Sequence, residues 1–167
     1  MMIKPDIPFN EPERLQALRA LRILDTPPEE SFDRLTSLAA RVLRVPKAYI
    51  SLIDGDRRWL KSQVGMQAQQ IPRDTSFCGH VILGDGPMVL PDATSDWRFM
   101  GNPQTSGDHA IRAYAGVPLT SEEGYNVGAF CIADYQVRRF SDEDIQILVD
   151  LAALAERELR LVDAICL

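Results

Sequence analysis

A chain of 167 residues with 46% hydrophobic side chains has the length of one domain and enough apolar surface for a core. Its 24 acidic against 18 basic residues, a formal charge of −6, argue against a nucleic-acid binder, which carries a basic excess on one face. No apolar run reaches the ~20 residues of a membrane span, no secretory leader opens the chain, and Cys78, Cys131 and Cys166 are too far apart for a disulfide framework or a paired zinc site. A reduced, cytoplasmic protein without a membrane partner is expected, with residues 1–9 as an N-terminal arm and 10–167 as one domain.

In chain order, Asn10 and Glu13 read as a helix cap with its reciprocal acid, followed by Leu15, Leu18 and Leu21 at helical spacing. Thr26-Pro27-Pro28-Glu29 reads as a second helix start. Phe32, Leu35, Ala39 and Val42 trace its apolar face, and Pro46 places its end near Arg44. The pattern then changes to strands: 48–53, a turn at Asp54-Gly55, and 58–64. Thr75 or Ser76 caps a short helix to Leu83, and 88–90 is a short strand.

Residues 91–109 are mostly polar and too long for a plain connection, the length of loop that often carries function. Strands at 111–119 and 127–134 follow, and Ser141 caps a long final helix. Hairpins between terminal helices indicate an α+β fold: a mainly antiparallel sheet with the terminal helices on one face.

Alternation in the last two strands suggests which face is which. Ala113, Ala115 and Val117, with Ala129, Cys131 and Ala133, are small and suit close approach of helices. Arg112, Tyr114, Phe130 and Ile132 would then face a cleft beneath the long loop. Adding Phe77, Cys78, Trp97 and Phe99 gives the candidate ligand-binding set Phe77, Cys78, Trp97, Phe99, Arg112, Tyr114 and Phe130. Arg112 and Tyr114 would be its polar anchors and the aromatics its walls. A guanidinium in such a cleft needs a carboxylate, with Asp92 and Asp96 nearest by loop placement, or an anionic ligand.

Cys78 near His80 admits an inert buried thiol, a redox or metal-bound thiol, or a ligand contact. Two residues apart on a helix the side chains diverge by about 200°, which favours the inert reading. No catalytic residue, metal set or cofactor is assigned. The final helix has two apolar stripes. Ile145, Leu148, Ala152, Ala155, Leu159 and Val162 suit the sheet; Ile147, Leu151, Leu154, Leu161 and Ile165 suit the first helix or a second chain.

The motifs LDTPPEE, SFCGH, DATSDWRF and AGVPL, in this order, resemble GAF domains, in particular bacterial modules beside histidine-kinase, cyclic-di-GMP synthase or phosphatase outputs. The resemblance runs from about Asn10 to Leu161. It implies about six antiparallel strands, terminal helices on one face, a small-molecule cleft under short helices and a loop on the other, and homodimerisation through the terminal helices. A non-catalytic sensory or regulatory domain is the resulting expectation, with a kinase or cyclic-di-GMP synthase partner in cis or in trans. The alternatives are a free methionine-(R)-sulfoxide reductase-like oxidoreductase with a degenerate cysteine set, or a dimerisation module without a ligand. No output domain follows the resemblance, so an excised module and a stand-alone regulator both fit.

Overall fold

The computed structural model describes residues 2–165, and side chains as far as Leu161; Cys166 and the side chains of Val162 and Ile165 lie outside the described residues. Two helices, α1 (Glu11–Ala20) and α2 (Glu30–Leu43), precede strands β1 (Lys47–Ile53), β2 (Arg57–Val64) and β3 (Gln70–Pro72). A short helix α3 (Phe77–Val81), strands β4 (Met88–Leu90), β5 (Ala113–Thr120) and β6 (Asn126–Asp134), and helix α4 (Asp142–Ile165) complete the order. The strands form one antiparallel sheet, β3-β2-β1-β6-β5-β4.

Local chemistry explains the helix ends. Asp144 N–H donates to Ser141 Oγ and Ser141 N–H donates to Asp144 Oδ2, both at 3.0 Å, a reciprocal box that starts α4. Helix α2 stops where Arg44 turns left-handed (φ 55°). Arg138 then donates to the carbonyls of Leu43 at 2.6 Å and Arg44 at 2.8 Å, placing positive charge at the helix C-terminus.

Two expected caps are absent. Asn10 makes no side-chain cap, and α2 begins at Glu30 rather than after Thr26. Thr26 Oγ1 instead accepts from Lys61 Nζ at 2.8 Å, and the Pro27 carbonyl accepts from the same ammonium at 2.6 Å. The TPPEE loop therefore solvates a buried lysine.

Helices α1, α2 and α4 cover one face of the sheet. Leu18, Phe32, Ala39, Leu148, Ala152, Ala155 and Leu159 pack there on Ile50, Leu52 and Trp59. On the same face lie Ala115 and Val117 of β5 with Phe130 and Ile132 of β6, while Tyr114, Ala129, Cys131 and Ala133 face the other way. The expected assignment is thus correct for β5 and inverted for β6, so Phe130 is a helix-side core residue. The register is the reason: Ala115 pairs with Ile132 and Val117 with Phe130. Partners directly opposite share a face, so each small residue meets a large one and the layer fills evenly.

A charged cluster ties α1 to the segment before α3. Glu11 accepts from Arg14 at 2.7 and 2.9 Å and from Arg73 at 2.6 and 3.1 Å. Both arginines are almost fully buried, and Arg14 also donates to the Ile53 carbonyl at 2.7 Å. Among the described residues no helix is long and apolar enough to cross a membrane.

Candidate functional site

The face opposite the terminal helices is covered by α3 and the loop between β4 and β5. Ser76 starts α3 by accepting from Gly79 N–H at 3.0 Å. The helix turns Phe77 and Cys78 inward and His80 outward, toward the N-terminal arm, where a ring nitrogen lies 3.1 Å from the Ile3 carbonyl oxygen. Burial holds the imidazole below its ordinary pKa, against the pull of that backbone contact.

Phe77 stacks on Phe99 with ring centroids 4.2 Å apart and meets Tyr114 edge-on at 5.0 Å. These aromatics pack against one another beneath α3. Trp97 lies outside this layer, 67% exposed, on the rim of a groove of about 510 Å³ between the arm and α3. Arg112 donates to the Thr105 carbonyl at 3.0 Å and so holds the loop. Neither expected carboxylate pairs with it. Asp92 accepts from Thr94 and Ser95, and Asp96 pairs with Arg98 at 2.9 Å.

Tyr114 reaches its neighbours because the next residue but one, Gly116, has no side chain. A Cβ there would come within 2.6 Å of Tyr114 Oη. The hydroxyl lies 2.9 Å from Cys131 Sγ and 3.5 Å from Cys78 Sγ, and the two sulfurs are 3.3 Å apart, all fully buried. Cys131 was expected on the helix side; the same register that inverts β6 brings it to Cys78. Burial pushes the Cys131 thiol up. For Cys78 burial acts in the same direction, but it is outweighed by hydrogen bonding with Cys131, the Arg58 charge and contacts with Ser51 and Tyr114, which hold the thiol down at about 6.

The open space on this face lies further along the sheet. A cleft of about 240 Å³ is bounded by Lys47 and Arg58 from β1 and β2, by Met66 and Gln67, and by Gln104, Ser106 and His109 of the loop. None of the residues expected to bind a ligand lines it. Arg58 is 2% exposed, its Nε has no hydrogen-bond partner, and its single bond runs from Nη2 to the Ala68 carbonyl at 3.3 Å. The guanidinium sits 5.6 Å from the centre of the Tyr49 ring. Burial first, then the Arg58 charge, holds the Lys47 ammonium below its ordinary value. Among the described residues no carboxylate lines this cleft, where the Lys47 and Arg58 cations share a partly desolvated space.

The signal for Arg58 was present but weak. It sits two residues from Leu60, on the same strand face and beside the Asp54-Gly55 turn, where an Arg57-Arg58 pair reads as solvated charge. Among the described residues no group of three or more His, Cys, Asp or Glu side chains could hold a metal ion.

A six-stranded antiparallel sheet with helices on one face and a loop-covered cleft on the other defines a small α+β module. A family model for the GAF domain matches residues 27–159. The chain belongs to the GAF domain family. Over 154 residues it is 36% identical to a Pseudomonas aeruginosa protein named cyclic di-GMP phosphodiesterase, covering 92% of this chain and 26% of that one. The chain thus spans about a quarter of that relative's length. The GAF domain of an Acinetobacter phosphoenolpyruvate-protein phosphotransferase superposes with a TM-score of 0.68 at 19% identity, covering 91% of this chain and 95% of that one. Free methionine-R-sulfoxide reductase of Neisseria meningitidis, solved with its substrate, gives 0.66 at 17% identity, with 92% and 89% covered.

Proposed function

We propose that the chain is a non-catalytic sensory or regulatory domain whose cleft between β1, β2 and the loop takes a small anionic molecule. The observation that carries this reading is Arg58, a buried guanidinium that borders the cleft and whose Nε has no hydrogen-bond partner. An unpaired buried charge is costly, and an anion accepting from Arg58 and Lys47 offsets that cost. The lining supplies positive charge and amide and hydroxyl groups but no thiol, because Cys78 and Cys131 are sealed beneath Tyr114. That favours binding over sulfoxide reduction. The named phosphodiesterase relative supports a role as a regulatory unit for a nucleotide-signalling output, in cis or in trans.

Native mass spectrometry of the purified chain, followed by calorimetric titration with phosphate and malonate, tests the cleft. Saturable binding of at least one anion is expected, weakened about tenfold or more in Arg58→Gln. Equal affinity in wild type and variant sinks the proposal. Thioredoxin-dependent turnover of free methionine sulfoxide would establish the reductase instead.

A second reading concerns assembly and rests on Leu154 and Leu161. They lie seven residues apart on α4 and are 48% and 44% exposed. Two large apolar side chains at heptad spacing on one helix suit pairing with a second copy.

A further inference from the structure

We propose that Cys78 and Cys131 are a dithiol that a hydroperoxide closes reversibly to a disulfide, fixing α3 to the central strand β6. The geometry carries the proposal. The sulfurs are 3.3 Å apart, about 1.2 Å more than a disulfide's ~2.05 Å, and no other side chain separates them. They join elements 53 residues apart in sequence, one a five-residue helix and the other a core strand. Tyr114 Oη contacts both sulfurs and can donate a hydrogen bond to whichever carries negative charge. Hydrogen bonding with Cys131 first, and then the positive field of Arg58 on the same face, make Cys78 the thiol that ionises first.

The chemistry closes without a further reactant. The Cys78 thiolate attacks one oxygen of hydrogen peroxide; the O–O bond breaks, an S–O bond forms, and the departing hydroxide takes up a proton as water. Cys131 then attacks the Cys78 sulfur; the S–S bond forms, the S–O bond breaks, and the oxygen leaves as water with the Cys131 proton. Two thiols are oxidised by two electrons in total, and one peroxide is reduced to two waters. A small dithiol reverses the step and is itself oxidised. Burial restricts entry, but α3 is a single short turn held by the N-terminal arm, an element suited to brief opening. Burial also favours the second step over further oxidation, because the sulfenic acid forms in contact with Cys131 and away from solvent.

This inference stands apart from the anion-binding reading, and its readout involves no ligand. The folded chain, as wild type and as Cys166→Ser, is exposed to hydrogen peroxide, alkylated with N-ethylmaleimide under denaturing conditions, and mapped without reduction. Cys78 and Cys131 should lose alkylation together, yield one intramolecular Cys78–Cys131 peptide pair in both proteins, and recover both thiols in dithiothreitol. In Cys131→Ser the linked pair should vanish and Cys78 should accumulate as sulfenic or sulfinic acid. Two thiols still alkylated, Cys78 oxidised to sulfinic acid beside a free Cys131 in the wild type, or a link between molecules would each overturn the proposal.

Discussion

Lys61 Nζ lies 2.6 Å from Glu29 Oε2 although the lysine side chain has no exposed surface and the glutamate is 42% exposed. The ammonium is therefore neutralised from the rim while Thr26 and Pro27 satisfy it from within. Removing the rim charge leaves a buried cation with neutral acceptors only. Glu29→Gln should cost about 1–2 kcal/mol, and Thr26→Ala about 1 kcal/mol, by urea unfolding. Glu30 offers the control. Its pairing with Arg34 at 2.5 Å is just as close, but both partners are about three-quarters exposed, so Glu30→Gln should cost under ~0.5 kcal/mol. Equal losses in Glu29→Gln and Glu30→Gln would show that burial of Lys61 does not set the energy.

Glu11 makes the fold sensitive to acid. Burial raises a carboxyl, but hydrogen bonds and charge from Arg14 and Arg73 outweigh it and bring Glu11 from 4.5 to about 2. A pKa depressed in the folded state contributes stability that is fully present above the unfolded value. That stability is lost as pH falls from 4.5 toward 2. Because the carboxylate retains solvent contact, the contribution is about 1–2 kcal/mol rather than the full shift. Wild type minus Glu11→Gln stability should be constant from pH 7 to about 5 and shrink below about 4.5. A difference independent of pH down to about 3 would refute the assignment.

The helices were legible in the sequence because their apolar spacing and stop signals are local. The same holds for the Ser141 cap and for the strands that open and close the Asp54-Gly55 turn. Strand β3 was not legible: three residues at a sheet edge carry no period. The face assignment of β6 was inverted for a different reason. Tyr114 and Arg112 alternate as expected, but which residues of β6 join them depends on a register set between strands, and a one-residue change inverts the face. Phe130 and Cys131 therefore exchanged roles. Arg58 was missed because a charge beside a hairpin turn looks solvated until the loop of residues 103–109 covers it.

Gly79 holds the N-terminal arm in place. A Cβ there would lie 2.7 Å from Pro5 Cγ and 3.0 Å from Ser76 Oγ, while Ile3 N–H donates to the Arg98 carbonyl at 3.1 Å. Pro5 belongs to the arm and moves more readily than α3, whose Phe77 and Cys78 are buried. Gly79→Ala should therefore release the arm and leave the sheet intact. Thermolysin should cut before Ile3 at least several-fold faster, with a loss of global stability under about 1 kcal/mol, since alanine favours helix. Unchanged cleavage would mean that the arm does not depend on contact with α3.

Helix α4 divides its second apolar stripe between core and solvent. Leu151 is 5% exposed and belongs to the helix-side core, whereas Leu154 and Leu161 remain open. A glutamate at Leu151 would place an unpaired charge in the core and unfold the domain, so it cannot report on assembly. Leu154→Glu and Leu161→Glu place charge where water already reaches, and the monomer should tolerate them within ~0.5 kcal/mol. Across a two-fold helix pair those charges would face an apolar surface or each other, at a cost of several kcal/mol per interface. Light scattering at about 100 μM should show a wild-type dimer and a folded Leu154→Glu/Leu161→Glu monomer with unchanged circular dichroism, the apparent Kd rising at least a hundredfold. A wild type that is monomeric at that concentration, or a double variant that still dimerises, removes α4 as the interface.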